Sequence, residues 1–193
     1  MYGRAGSTLE SDIVWGLLLG YDFINDKANP TKTLDGKTLF HADHKNLLTG
    51  AGSAVSVDAL SAMRKNGRKM KSLDEKFMNI TYGNVVVNED QETAMEQLLL
   101  GTILANVTGE TNVFTNKLKM RVEPRLSVVS SDAWYGFANL LDTFEYATLQ
   151  GEEDLYTELV TSTDSDGLTL KIRKDFGAGI VDFRGMVKNT GVA

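Results

Sequence analysis

Apolar residues recur at helical spacing in three stretches of this chain and alternate with polar ones in several others, so both periods of regular structure are present. Leu9, Ile13, Trp15 and Leu17 put broad apolar faces on a helix, and Ser7-Thr8-Leu9-Glu10 has the spacing of a capping box that would open it at Ser7. That helix should fray near Gly20. Val57, Leu60, Met63 and Met70 fall near one face of a second helix, ending around Lys71. Ser56 stands where its hydroxyl would cap this helix, and Asp58 suits the positive end of the dipole. Asn88 is placed to cap a third, whose acidic opening turn Glu89-Asp90-Gln91-Glu92 precedes Ala94, Met95, Leu98 and Thr102.

Strand signals fill most of the rest. Leu39-Phe40 predicts a short strand between a loop at 25–36 and another at 50–53. Phe77 to Val87 is β-rich, densest at Val85-Val86-Val87. After a polar loop at 106–116, Leu118, Met120 and Val122 alternate with Lys117, Lys119 and Arg121, the pattern of a half-buried strand, and Pro124 marks its end or an edge position. Further strands are predicted at 134–137, 144–149 and 155–160. Thr163 to Gly167 reads as a turn, and Leu168, Leu170 and Ile172 alternate with Thr169, Lys171 and Arg173 after it. Ile180 to Val187 is expected to close the sheet, with Gly177 and Gly179 marking a bulge or a close backbone approach. Helices mixed with strands, then mostly strands, give an α+β class. No internal repeat or low-complexity tract interrupts it.

Composition narrows the functions. A chain of 193 residues suits one domain or two small ones. It buries roughly 70% of its unfolded surface, so a core needs no staples. The absence of cysteine excludes disulfides, thiolate metal sites and cysteine nucleophiles. A net charge of -6 is not that of a nucleic-acid wrapper. No basic segment leads into an apolar one at the N-terminus, and the longest apolar stretch, Ile13 to Ile24, contains Asp22 and is too short to span a bilayer. A soluble protein is expected.

Candidate chemistry is sparse. Both histidines lie in His41-Ala42-Asp43-His44. These are proper zinc or nickel ligands, but a third donor would have to come from elsewhere; the preferred reading is a turn in which Asp43 and a histidine bond local backbone. Asp175-Phe176-Gly177 matches the kinase magnesium triplet by letter only, with no glycine-rich phosphate loop or His-Arg-Asp loop beside it. Arg64, Lys65, Arg68, Lys69 and Lys71 form the strongest basic cluster. It is read as complementing a helix dipole and facing water, since few aromatics interleave as nucleic-acid binding would want. The same face would also suit the acidic run Glu152-Glu153-Asp154 of a neighbouring subunit. Glu89, Glu92 and Glu96, like that run, are read as solvated surface rather than paired acid–base carboxylates. No Gly-x-Ser-x-Gly elbow supports a serine triad. No catalytic, cofactor-binding or metal residue is assigned.

One resemblance runs through most of the chain in order. Asp35-Gly36-Lys37-Thr38-Leu39-Phe40-His41-Ala42-Asp43-His44-Lys45-Asn46 resembles the His-Ala-Asp-His segment of Mu-like phage major head subunits, often found as the capsid half of a prohead protease–capsid fusion. The similarity continues through 56–70, Asn79-Ile80, Val85-Val86-Val87 and Glu92 to Leu99. It resumes at Val122-Glu123-Pro124-Arg125-Leu126, Trp134 to Ala138 and Phe144 to Gly151. It ends with Lys171-Ile172-Arg173, Asp175-Phe176-Gly177-Ala178-Gly179 and Asp182-Phe183-Arg184-Gly185, before Lys188-Asn189.

The resemblance implies the tailed-phage major capsid fold: an axial domain of mixed sheet with flanking helices, and part of a peripheral domain that carries a long helix and a long sheet. No extended arm, hairpin loop or protease part is seen before Ser7, and the helix at 7–20 matches the end of the long peripheral helix. The chain is therefore expected to be a C-terminal portion or a truncated prophage product. The expected division is 1–50 for the helix end and connecting segment, 51–140 for the axial-like region and 141–193 for a β-rich return. The implied function is that of a structural capsid subunit acting by self-assembly. Such a protein is made in the bacterial cytoplasm and resides in the virion. Its expected partners are copies of itself and other head proteins, with no membrane, specific nucleic acid, small-molecule ligand or cofactor. The rival readings are a hydrolase related to the prohead protease, for which only His41 and His44 would serve as base, and a decoration or tail protein.

Overall fold

The computed structural model describes residues 2–101, 112–151, 154–161 and 168–192, with the side chains of 2–7 and 161 set aside. Helix α1 (Tyr2–Leu19) is followed by β1 (Tyr21–Asp22), β2 (Lys27–Ala28), β3 (Leu47–Leu48) and α2 (Val57–Lys69). Then come β4 (Tyr82–Val87), α3 (Glu92–Leu100), β5 (Lys119–Val122) and the short α4 (Arg125–Val129). The remainder is β6 (Trp134–Ala138), β7 (Phe144–Thr148), β8 (Tyr156–Thr161), β9 (Leu168–Arg173), β10 (Phe176–Ile180), a 3-10 turn at Phe183–Gly185 and β11 (Met186–Asn189). The class is α+β, as the pattern predicts. Two compact units form, each from two stretches: Met1–Asn29 with Phe144–Ile180, and Pro30–Thr143 with Val181–Ala193.

The larger unit is built on a mixed five-stranded sheet in the order β3-β11-β6-β4-β5. Its outer pairs, β3 with β11 and β4 with β5, are parallel, while β11 with β6 and β6 with β4 are antiparallel. The Val85-Val86-Val87 run lies in β4, inside the sheet, where both faces are covered, so all three valines are buried. Leu60 and Met63 of α2 and Met95 and Leu99 of α3 pack with Val85, Val87, Trp134 and Val187 in one core. Each such side chain stabilises by about 1.5–3 kcal/mol relative to leaving it in water. Two glycines let α2 approach. A Cβ on Gly136 would stand 2.5 Å from Met63 Sδ and 2.9 Å from Val187, and one on Gly67 would stand 2.7 Å from the Ile80 carbonyl.

The local signals for α2 hold: Ser56 Oγ accepts from Ala59 N–H at 3.1 Å. For α3 the expected cap is corrected: Asn88 Oδ1 accepts from Gln91 N–H at 3.0 Å and closes a turn ahead of the helix, which starts only at Glu92 with Gln91 at its N-cap. In β5, Met120 and Val122 turn towards the core while Lys119 and Arg121 stay exposed. Other expectations are corrected. Leu39-Phe40 is not a strand; the neighbouring chain makes only an isolated bridge, Lys32 to Thr38. Pro124 does follow the end of β5, an edge strand, as expected, and it also stands at the start of α4, where its fixed φ and missing N–H are no handicap. Ile180 to Val187 is not one strand. Asp182 accepts from Arg184 N–H and closes the 3-10 turn that separates β10 from β11.

In the smaller unit, α1 begins at Tyr2 and runs through Ser7, so the Ser7–Glu10 spacing is that of residues one turn apart inside a helix. It ends at Leu19, followed by Gly20 at φ 67°, the left-handed exit that glycine favours. Asp22 Oδ1 then accepts from the N–H groups of Ile24 and Asn25, each at 3.0 Å, turning the chain from β1 into β2. Strand β10 pairs with β7 in an unbroken antiparallel register. A Cβ on Gly177 or Gly179 would meet nothing within 4 Å, so neither the bulge nor the close approach expected there occurs. Strands β8 and β9 form a two-stranded ribbon. Two of its leucines stay exposed, Leu159 at 64% and Leu168 at 70%, because no second layer covers them among the described residues. The turn expected at 163–167 lies outside the described residues, as do Thr102 and most of the 106–116 loop.

Candidate functional site

Two of the resembling segments, Asp35–Asn46 and Asp182–Gly185, meet in the larger unit. Residues 31–46 fold as a tight double turn. Thr33 N–H donates to the Lys37 carbonyl at 2.9 Å, and Gly36 at φ 79° makes the reversal possible. A second turn follows, with His44 N–H donating to the His41 carbonyl at 3.1 Å and Lys45 N–H to the Ala42 carbonyl at 3.0 Å. Asp35 sits at the first turn and His44 at the second, so the backbone brings them together.

His44 is the centre of the arrangement. Its side chain is only 3% exposed. Its ring stacks on Phe183 at 4.0 Å between centroids and 15° between planes. Nδ1 faces the Leu39 carbonyl at 3.0 Å and Nε2 faces Asp35 Oδ2 at 2.9 Å. Both ring nitrogens are thus within hydrogen-bond reach of an oxygen, one on the backbone and one on the Asp35 carboxyl. The Thr33 hydroxyl, 2.5 Å from Oδ1, and then the His44 ring hold the Asp35 carboxyl well below the usual carboxylate range. Asn46, fully buried, completes the joint. It donates to the Leu39 carbonyl at 2.9 Å and the Phe183 carbonyl at 3.3 Å, and accepts from His41 N–H at 3.1 Å.

The other half comes from the turn after β10. Asp182 binds Arg184 through its backbone N–H at 2.8 Å and through the guanidinium at 3.2 Å. Arg184 Nε reaches the Lys71 carbonyl at 3.0 Å. Asp182 to Gly185 is thus a rigid platform on which the 31–46 turn is seated through Phe183. The arrangement is a clasp: among the described residues, the side chains of Asp35, His44 and Asn46 bond one another and the nearby backbone.

The remaining candidates are dispersed. His41 Nδ1 accepts from Asp43 N–H at 3.2 Å, and its ring centroid lies 5.9 Å from that of His44. The Lys37 ammonium, 2.6 Å away, holds the Asp43 carboxyl below its ordinary value. Among the described residues no three His, Asp or Glu side chains converge as metal ligands. Of the basic cluster, Arg64 lies over the Phe114 ring at 4.8 Å, Arg68 binds Asn79 Oδ1 at 2.7 Å and Lys71 binds Glu75 at 2.7 Å. Lys65 and Lys69 are exposed. Glu89 accepts from the Ser127 hydroxyl at 2.8 Å. Glu152 and Glu153 lie outside the described residues, and Asp154 is exposed. Asp175 faces Arg173 at 3.7 Å, and Phe176 stacks on Tyr146, so the kinase-like triplet is ordinary ribbon structure.

A cavity of about 300 Å³ in the smaller unit is lined by Glu10, Ser11, Val14, Trp15, Tyr146 and Phe176. Its one carboxylate, Glu10, is held by Lys174 at 2.9 Å. Asn46 and Arg184 lie within the resembling segments, but no local pattern marks either as structural. A buried amide between a histidine turn and a sheet edge has no period to betray it.

Acid should loosen the clasp. A carboxyl whose folded pKa is depressed stabilises above its unfolded value, about 3.9, and loses that contribution as pH falls towards the folded one. Stability of the larger unit is therefore expected to drop as pH goes below about 4, and Asp35→Asn to flatten that drop while lowering stability at neutral pH. Melting curves of both proteins across the acid range test this; parallel curves would exclude Asp35 as a contributor.

Comparison with known proteins agrees with the sequence reading at the level of the family. No helix among the described residues is long and apolar enough to cross a membrane. A search of curated proteins finds no match. Among solved structures the chain is similar to one from the satellite phage P4 procapsid including size determination (Sid) protein, at 12% identity and a TM-score of 0.40. That likeness covers 85% of this chain and 46% of the other, so this chain spans about half the length of its solved neighbour. The family description "Phage capsid protein" matches residues 1–189, nearly the whole sequence, and the chain belongs to that family of structural proteins.

Proposed function

We propose that this chain is a major head subunit of a phage or prophage, of the Mu-like kind, and that it works by associating with copies of itself into a closed shell. The observation that carries the reading is the family match over residues 1–189. The clasp supports it: the chemistry-bearing residues His44, Asp35 and Asn46 are consumed in holding two distant segments together, as a structural subunit requires. On this reading the unit of 30–143 and 181–193, with its mixed sheet and helices, corresponds to the axial domain, and the unit of 1–29 and 144–180 to part of the peripheral domain. No residue turns over a substrate, and other head proteins are the remaining partners. The virion shell is the place of action, after synthesis in the bacterial cytoplasm.

Shell formation is multivalent: many modest contacts close a symmetric assembly, so association should rise steeply with concentration. Sedimentation velocity and electron microscopy of the purified protein are expected to show rings or shell-sized particles above a threshold concentration. A chain that stays monomeric at every concentration tested, or that cleaves a head-protein peptide, would overturn the proposal.

A further inference from the structure

Among the described residues, two charged stripes of the larger unit have no ion partner. On α3, Glu92 and Glu96 stand one turn apart, so their side chains share one face about 6 Å apart. Leu100, 66% exposed, continues the same stripe another turn on. On β5, Lys119 and Arg121 are two residues apart and leave the same face of the strand about 7 Å apart. Among the described residues, none of these four side chains has an ion pair or hydrogen bond to another, and β5 stands at the edge of its sheet. Like charges at i and i+4 destabilise a helix by a few tenths of a kcal/mol. That repulsion persists in the isolated chain and is relieved by cations at matching spacing.

The two stripes lie on different faces: Glu92 and Glu96 on the flank of α3, beside its buried Met95 and Leu99. Met120 and Val122 turn inwards to the core that Met95 and Leu99 of α3 help to form, so Lys119 and Arg121 must leave by the face away from α3. A surface of one sign on one face, and of the other sign on a different face, fits a head-to-tail contact between copies, which closes into a ring when the rotation allows. We propose that the Lys119–Arg121 stripe of one copy docks against the Glu92–Glu96 stripe of the next. This rests on the self-association proposed above and names the surfaces that carry it. The net charge of -6 favours a copy of this acidic chain over a nucleic acid as the partner of so small a basic stripe. Such rim charges set register and encounter rate and penalise wrong pairings.

Charge reversal tests the pairing. Lys119→Glu with Arg121→Glu, and separately Glu92→Lys with Glu96→Lys, are each expected to raise the concentration for half-maximal assembly at least about tenfold. Combining all four reversals should bring it back to within about threefold of wild type. The two reversed proteins, each defective alone, should assemble when mixed. Circular dichroism melts check folding, and the neutral set Lys119→Gln with Arg121→Gln, expected to weaken assembly less, serves if a reversal fails to fold. Wild-type assembly with unaffected reversals would overturn this interface and leave the capsid reading standing; no wild-type assembly overturns both. Reversals without rescue in the combined protein also overturn the pairing, as does a basic stripe needed to retain a DNA duplex but not to assemble.

Discussion

Trp134→Ala is expected to remove about 3–5 kcal/mol from the larger unit, the usual cost of emptying a large buried aromatic site. Trp134 opens β6 with no exposed surface, opposite Asn189 of β11, within the core shared by α2 and α3. Its indole N–H donates to the Ser53 carbonyl at 2.9 Å. Ser53 in turn anchors the C-terminal stretch, its hydroxyl accepting from Val192 N–H at 2.9 Å and lying 3.1 Å from the Thr190 hydroxyl. The substitution therefore leaves a cavity, orphans a carbonyl and loosens two segments at once. Against a typical total of about 5–15 kcal/mol it is a large fraction. Trp134→Phe keeps most of the apolar volume and loses the hydrogen bond, so a smaller cost, about 1–3 kcal/mol, is expected. Urea unfolding followed by circular dichroism measures both. An alanine variant within about 1 kcal/mol of wild type would contradict the packing described.

Asn46→Ala is expected to cost about 3 kcal/mol, because a buried amide that serves both as donor and acceptor leaves several groups stranded when it goes. The Phe183 carbonyl and His41 N–H lose the partners that Asn46 supplies, while the Leu39 carbonyl keeps His44. Asn46→Asp should do no better despite its near-identical shape: a carboxylate still accepts from His41 but turns a negative oxygen towards two carbonyls. Hydrogen exchange distinguishes local from global effects. Amides of 39–46 and 183–188 should lose protection before those of β4 do. Equal loss throughout the unit would mean that the clasp is not a separable joint.

Much of the framework is legible from spacing alone. The Ser56 cap, the apolar face of α2 and the alternation of β5 are local facts: each depends on residues a few positions apart, and helix or strand geometry turns that spacing directly into a face. The errors share a cause too. Leu168 to Ile172 alternates as a half-buried strand should, yet only Leu170 is even partly sheltered, because alternation shows that a strand has two faces and not whether anything covers either. Gly177 and Gly179 suggest a bulge or a close approach, but only the surrounding structure decides whether the strand register breaks or the space beside a glycine is filled, and here neither happens.

What the chain of residues determined by itself was the α+β class, the elements with strong caps or periods, and a family likeness spread in order along its length. Only the folded structure decided that His44 lies against Phe183 and that Asn46 bonds a carbonyl 137 positions away. It also decided that each compact unit draws on two separate stretches. Those contacts join residues far apart in sequence, and their geometry comes from packing in three dimensions, which no local period encodes.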